Sequence, residues 1–135
     1  MRKSRPRWRT AIRILLDTQA FILGYLGLLS RKLLDQIEGP EHEWILSAAS
    51  VAEIAVKHAI GKLDMPEAET VRAIRELNAT VLAVEEAHAL RMFSLPLHHR
   101  DPFDRMILAT ALAEKLPIVT GDRVFRRHPQ IQVIW

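Results

Sequence analysis

Cysteine is absent from this chain of 135 residues. Its absence excludes a disulfide framework, a thiolate metal site and a cysteine nucleophile. Long apolar runs are also missing, since none approaches the roughly 18–20 residues that a membrane-spanning helix needs. The first residues lack the apolar segment of a signal peptide. We therefore expect a cytoplasmic protein without a membrane partner, because disulfides concentrate in oxidising compartments.

Several motifs that would indicate other function classes are missing too. The sequence has no glycine-rich phosphate loop, no nucleophile elbow and no aromatic RNA-stacking signature. Its six histidines are scattered, apart from the adjacent pair His98 and His99, whose side chains would not share one ion in a regular element. The composition, 49% apolar and 26% charged, is ordinary for a globular protein. No repeat or linker divides the chain, so we expect one folded domain.

The positive charge is concentrated at the start of the chain. Residues 1–13 carry six basic side chains and no acid: Arg2, Lys3, Arg5, Arg7, Arg9 and Arg13. Removing these six from 19 basic and 16 acidic residues leaves 13 and 16, a net charge of −3. We predict a flexible basic arm over residues 1–12 and a folded domain over residues 13–135. Two interpretations of the arm stay open: a solvated extension without a role, or a nonspecific grip on nucleic acid phosphates.

Short apolar strands alternate with helical patterns along the rest of the chain. Strands are predicted at residues 11–16, 44–47, 80–83, 117–120 and 132–135. Helices are predicted at residues 19–29, 31–38, 50–60, 67–77, 85–93 and 102–115. Such alternation indicates a mostly parallel sheet of four to five short strands, covered by helices on both faces. The fold class is therefore α/β, with three layers in the order α/β/α.

Four acidic residues fall near the predicted carboxyl ends of strands. Asp17 follows the first strand, Glu53 lies early in the helix after the second, and Asp122 follows the fourth by one glycine. Asp104 lies in the first turn of the long helix. Because ligand sites of open α/β sheets form at the carboxyl ends of the strands, we expect all four on one rim. Each also has a simpler interpretation, as a helix cap or a turn residue.

The local pattern separates Asp101 from Asp104. Pro102 suits the first position of a helix, which makes Asp101 the predicted N-cap. Asp104, three positions later, is left to point elsewhere. Carboxylates gathered on a dry rim would repel one another unless a cation lay between them. An all-carboxylate site suits Mg²⁺, with Mn²⁺ as an alternative, better than Zn²⁺.

Four segments of the chain resemble the PIN domain, in its VapC-type toxin branch. They are Leu-Leu-Asp-Thr at 15–18, Ser-Ala-Ala-Ser-Val-Ala-Glu-Ile-Ala-Val-Lys at 47–57, His-His-Arg-Asp-Pro-Phe-Asp-Arg at 98–105 and Thr-Gly-Asp-Arg-Val-Phe at 120–125. The resemblance implies a PIN-like fold and a Mg²⁺-dependent endoribonuclease. It also implies the toxin role in a type II toxin–antitoxin pair, with a cognate antitoxin, an RNA substrate and a homodimer.

The resemblance also assigns site residues. The family's metal-binding and catalytic acids fall on Asp17, Glu53, Asp104 and Asp122, with Asp101, Thr18 and Thr120 as accessory residues. Two positions depart from the branch: Gln19 stands where histidine is frequent, and Ala52 where tryptophan is frequent. Neither departure removes a metal ligand.

Three arginines near the predicted rim are candidates for phosphate contact, because a guanidinium binds phosphate in a bidentate manner. They are Arg100, Arg105 and Arg123; a surface salt bridge is the alternative for each. Two rival functions stay open beside the ribonuclease. One is a catalytically weak binding module for antitoxin assembly and autorepression, docked through the apolar stretch 21–29. The other is a nuclease that acts on DNA with the same metal chemistry.

Overall fold

Five short parallel strands form the centre of the computed structural model, which describes residues 12–96 and 101–135. They are β1 (Ile12–Leu16), β2 (His42–Ser47), β3 (Thr80–Leu82), β4 (Ile118–Val119) and β5 (Val133–Ile134). Their order in the sheet is β3-β2-β1-β4-β5, and every neighbouring pair is parallel. The five-stranded parallel sheet confirms the predicted α/β class.

Six helices connect the strands or cover the sheet. They are α1 (Thr18–Tyr25), α2 (Arg31–Ile37), α3 (Ala48–Ala59), α4 (Glu67–Glu76), α5 (Glu86–Arg91) and α6 (Pro102–Glu114). Two 3₁₀ helices, Met92–Ser94 and Arg123–Arg127, complete the elements of the described ranges. In residues 12–96 and 101–135, no helix is both long and apolar enough to cross a membrane. Residue 12 opens β1, whereas residues 1–11 of the predicted basic arm lie outside the described part of the chain.

The side chains of β1 supply both hydrophobic cores, because successive residues of a strand point to opposite faces. Ile14 and Leu16 belong to one core, which includes Phe21 of α1. Leu15 belongs to the other, which includes Ile107 of α6. All three strand residues are at most 1% exposed. The sheet is thus covered on both faces, as expected for three layers.

The end of α1 differs from the prediction of one helix over residues 19–29. The helix ends at Tyr25, and Gly27 adopts a left-handed conformation with φ +71°. The Leu28 N–H donates to the Leu23 carbonyl at 2.8 Å, and the Gly27 N–H donates to the Gly24 carbonyl at 3.2 Å. These two bonds form a Schellman motif, which glycine favours because it has no Cβ to clash. The prediction of a longer helix was therefore wrong.

The strand order determines where a ligand site can form. After β1 the chain moves outward through β2 and β3, then returns to add β4 on the opposite side of β1. The reversal lies between β1 and β4, and such a switch point leaves a crevice at the carboxyl ends of the strands. The segments that follow β1 and β4 therefore meet at this crevice.

Candidate active site

Asp17 lies at the carboxyl end of β1 and is 8% exposed. Its carboxylate caps α1 by accepting a hydrogen bond from the Ala20 N–H at 2.7 Å. A second hydrogen bond joins it to the side chain of Thr120, which follows β4. Asp17 is thus both the helix cap of the simpler interpretation and a carboxylate at the crevice between β1 and β4.

Glu53 lies in the second turn of α3 and is 5% exposed. The Thr18 hydroxyl donates to its Oε1 at 2.6 Å, and the Lys57 Nζ lies 2.6 Å from its Oε2. The Thr18 oxygen is also 2.9 Å from the Ser50 hydroxyl oxygen. A buried carboxylate needs such partners, because burial without them would be costly. Both oxygens of Glu53 are therefore held in position.

Thr120 and Asp122 form a turn directly after β4. The Thr120 side chain is fully buried, and its Oγ1 accepts a hydrogen bond from the Asp122 N–H at 3.0 Å. The Asp122 carboxylate caps the following 3₁₀ helix by accepting from the Val124 N–H at 2.9 Å. The Thr120 hydroxyl thus connects the Asp122 backbone to the Asp17 carboxylate.

Asp101 and Asp104 separate as their spacing predicts. Asp101 caps α6 by accepting from the Phe103 N–H at 2.9 Å and the Asp104 N–H at 3.0 Å. Pro102 occupies the first helical position, where it loses no hydrogen bond. The predicted cap is confirmed. Asp104 is left in the first turn of α6, with its side chain half-buried.

All four acids line one cavity of about 520 Å³, a volume within the usual range of small-ligand sites. The rest of its lining combines two ammonium groups with apolar and aromatic surface. The lining residues are Asp17, Thr18, Gln19, Ile22, Leu23, Glu53, Lys57, Lys62, Leu63, Asp104, Gly121, Asp122 and Trp135. The structure therefore brings together the four carboxylates that the strand-end rule places on one rim.

The cavity is electrostatically unfavourable for the carboxylates. Burial raises the pKa of Asp104 to about 7, and the charges of Asp101, Glu53, Asp122 and Asp17 add to the effect. Burial also raises the pKa of Asp17, although its hydrogen bonds to Thr120 and Ala20 act in the opposite direction. Conversely, the hydrogen bond to Glu53 raises the pKa of Lys57. A cation that enters the cavity therefore lowers the electrostatic free energy of the site.

The donor chemistry of the cavity fits a hard divalent ion. Oxygen ligands of this kind suit Mg²⁺ or Mn²⁺. In the described ranges, no three acidic or histidine side chains converge tightly enough to form a preassembled metal site. Mg²⁺ does not require such a cluster, because it commonly keeps several waters and takes only one or two carboxylates directly.

The three arginines predicted to contact phosphate are placed differently. Arg100 lies outside the described residues. The Arg105 guanidinium binds backbone carbonyls of the segment before α6, namely those of Met92, Leu95 and Pro96 at 3.1 to 3.3 Å. This gives Arg105 a structural role. Arg123 is exposed in the 3₁₀ helix after Asp122.

Lys57 and Trp135 line the cavity without having been predicted as site residues. For Lys57 the signal was available, since Glu53 and Lys57 are four positions apart on a helix, the spacing of an ion pair. For Trp135 the strand-end rule would have served, because this residue directly follows β5.

Comparison with known proteins gives a family match and a set of similar folds. The family model of the PIN domain matches residues 14–130. The fold is similar to VapBC2 from Rickettsia felis bound to a promoter DNA fragment (TM-score 0.68, 15% identity, covering 90% of this chain and 96% of that chain). It is also similar to VapBC-1 from nontypeable Haemophilus influenzae (0.64, 22%, 90% and 96%). A third similar structure is VapBC-5 from Mycobacterium tuberculosis (0.61, 20%, 91% and 98%). No curated protein matches the sequence significantly.

Proposed function

The chain belongs to the PIN domain family, and from this premise we propose that it is a Mg²⁺-dependent endoribonuclease. In this proposal it acts in the cytoplasm as the toxin of a type II toxin–antitoxin pair. Its reaction is the hydrolysis of an RNA phosphodiester bond. The nuclease chemistry of the family supports the reaction class, and the cavity supports the identity of the participating residues.

The observation that carries the proposal is the convergence of four carboxylates from separate elements. Asp17 and Asp122 follow β1 and β4, Glu53 lies in the second turn of α3, and Asp104 lies in the first turn of α6. All four nevertheless line one cavity. Burial and repulsion by neighbouring carboxylates raise the pKa of Asp17 and of Asp104. A fold that needed these residues only as caps would have no reason to place them together.

The side chains around the carboxylates hold them ready for an ion. Thr18 and Lys57 fix the two oxygens of Glu53. Thr120 bonds the Asp17 carboxylate and the Asp122 backbone. Asp101 fixes the start of α6 and so the position of Asp104. In this arrangement Asp17, Glu53, Asp104 and Asp122 would hold the Mg²⁺. When bound there, such an ion activates a water for attack and stabilises the leaving oxygen of the phosphodiester.

The test is cleavage of RNA by the purified full chain across Mg²⁺ concentrations. We expect Asp17→Asn and Asp104→Asn to abolish cleavage, because each removes one charge from the cation site. Asp35→Asn is the matched control, since Asp35 is exposed on α2 and pairs there with Arg31. RNA cleavage that survives Asp17→Asn, or that needs no divalent ion, would contradict the proposal. Competition with single-stranded DNA separates a DNA-directed nuclease from a ribonuclease.

We also propose a cognate antitoxin and a homodimer as partners. The similar folds come from structures whose names describe toxin–antitoxin assemblies, which supports the antitoxin. Large apolar side chains are exposed at Leu26 and Leu28, directly after α1, and at Leu90 and Phe93, near the end of α5. These exposed residues offer surface for both contacts. Sedimentation of the purified chain tests the dimer, and inhibition of cleavage by the small protein encoded beside it tests the antitoxin.

The binding-module alternative makes a separate prediction. A scaffold would bind the antitoxin but cleave no RNA at any concentration of Mg²⁺ or Mn²⁺. The converging carboxylates favour the enzyme, because a scaffold does not need a cavity lined by acids that repel one another.

A further inference from the structure

Trp135 reaches the acid cavity because of the register of the last two strands. In β4 and β5, Val119 is paired with Ile134, and the Thr120 N–H donates to the Ile134 carbonyl at 3.2 Å. The strands are parallel, so the residue after β5 lies beside the turn after β4, which carries Asp122. Trp135 consequently lines the same cavity as the four acids, with 46% of its surface exposed.

The indole packs directly against the backbone of that turn. A Cβ atom placed on Gly121 would lie 2.8 Å from Cε2 and 2.9 Å from Cζ2 of Trp135, closer than such atoms approach in proteins. A larger residue at this position would require the ring to move. The contact is with backbone between Thr120 and Asp122, which their hydrogen bonds hold in place. The ring therefore lies against the turn that carries Asp122.

The cavity then presents three kinds of surface that match three parts of a nucleotide. The carboxylates suit a cation, and the ammonium groups of Lys57 and Lys62 add positive charge for phosphate. The half-exposed indole is an aromatic surface of the kind on which single-stranded bases stack. We propose that Trp135 is a stacking platform for an unpaired nucleobase of the RNA, next to the phosphodiester bond at the acid site. This inference rests on the proposed ribonuclease function and names how its substrate is held.

The alternative to stacking is a purely structural role for the ring. The indole covers Gly121, so its removal would disturb the turn that carries Asp122. A structural role and a stacking role predict different dependence on the base. Loss of cover weakens binding of every ligand, whereas loss of stacking weakens only ligands that carry a base.

The experiment is a two-by-two comparison of variants and ligands. Binding is measured by fluorescence anisotropy in the Asp104→Asn background with Mg²⁺ present, so that the oligonucleotide stays intact. The two probes are a single-stranded adenosine dodecamer of RNA and an abasic ribose-phosphate dodecamer with the same number of phosphates. Trp135→Leu keeps an apolar cover over Gly121 but cannot stack, and Trp135→Phe restores an aromatic ring.

We expect Trp135→Leu to weaken binding of the adenosine dodecamer by about 5- to 150-fold, the range for loss of one stacked base. Binding of the abasic dodecamer should stay within about 2-fold, because its phosphate contacts are unchanged. Trp135→Phe should recover most of the affinity. Equal losses on both ligands, or no loss on either, would overturn the inference.

Two further readouts keep the result interpretable. If circular dichroism shows that Trp135→Leu does not fold, the two dodecamers are compared on the folded protein with Trp135 intact. Equal affinity for the two dodecamers would then refute stacking, and tighter binding of the adenosine dodecamer would support it. The proposed nuclease fails separately, when the unsubstituted protein with Mg²⁺ leaves RNA uncut. The stacking inference fails when RNA is cut but binding does not depend on the base.

Discussion

Replacement of Thr18 by valine tests how the buried Glu53 carboxylate is held. The Thr18 hydroxyl donates to Glu53 Oε1 at 2.6 Å, and the two residues are 7% and 5% exposed. Valine has the same shape but no hydroxyl, so the substitution removes this bond without opening a cavity. The Oε1 atom would then be buried without the donor that it has in the native protein.

The expected loss follows from the charge of the acceptor. Hydrogen bonds to charged groups contribute roughly 1.5–3 kcal/mol, and a buried charged acceptor left without its donor is penalised at the upper end. We therefore expect Thr18→Val to lower the free energy of unfolding by about 1.5–3 kcal/mol. Thr110→Val is the matched control. The Thr110 hydroxyl is also buried, but it donates to the neutral Met106 carbonyl at 2.8 Å. Its loss should be below about 1 kcal/mol.

The assay is urea unfolding in EDTA, followed by far-ultraviolet circular dichroism. An unchanged slope against urea, with a lower midpoint, shows that the folded state itself has lost stability. A loss from Thr18→Val no larger than that from Thr110→Val would refute the reasoning. The bond would then contribute no more than an ordinary neutral one, and Glu53 would be solvated rather than held.

Three other perturbations test the charges of the site and the end of one helix. Burial raises the pKa of Asp104 from its ordinary value of 3.8 to about 7, so between these pH values the folded protein holds a proton that the unfolded chain has released. In EDTA, the free energy of unfolding should therefore fall as pH rises from about 4 to about 7. In urea unfolding, Asp104→Asn should make this dependence on pH weaker. An equal dependence in both proteins would contradict the assignment. Lys57→Met should lower the free energy of unfolding by about 1–2 kcal/mol in EDTA, between the values for exposed and buried pairs, because it removes the only ammonium group bonded to Glu53 in the described residues. Saturating Mg²⁺ should recover most of that loss. A melting temperature of Lys57→Met that does not change when Mg²⁺ is added would argue against charge compensation. Lys115 ends α6 in a left-handed conformation with φ 55°, so Lys115→Gly should stabilise the protein by about 0.5–1 kcal/mol. The control Lys32→Gly, inside α2, should destabilise it by about 1 kcal/mol. A lower melting temperature for Lys115→Gly would show that the left-handed residue carries no strain.

The positions of Asp17 and Asp122 were predictable because one rule covers both. Parallel strands deliver the residues that follow them to one rim, so the strand predictions carried Asp17 and Asp122 to the correct place. The capping role of Asp101 followed from its position before Pro102. The function of the four cavity acids as metal ligands stays a prediction, as do the accessory roles of Thr18 and Thr120.

Other features depend on contacts between distant segments, which a local pattern does not contain. The apolar run at residues 21–29 has the periodicity of one helix, but the positive φ of Gly27 ends the helix earlier. Arg105 has the charge of a phosphate ligand, yet the carbonyls before α6 bind it. The contact of Trp135 with Gly121 arises only from the pairing of β4 with β5.

The central place of β1 has a consequence for the timing of synthesis. This strand pairs with β2 on one side and with β4 on the other. Leu15 therefore reaches its partner Ile118 only after β4 has been synthesised. A nascent chain that has reached only α6 carries Asp17, Glu53 and Asp104, but it lacks Thr120 and Asp122. Domains fold as units while chains grow at about 5–20 residues per second. The acid cavity is therefore completed only when β4 and β5 join the sheet.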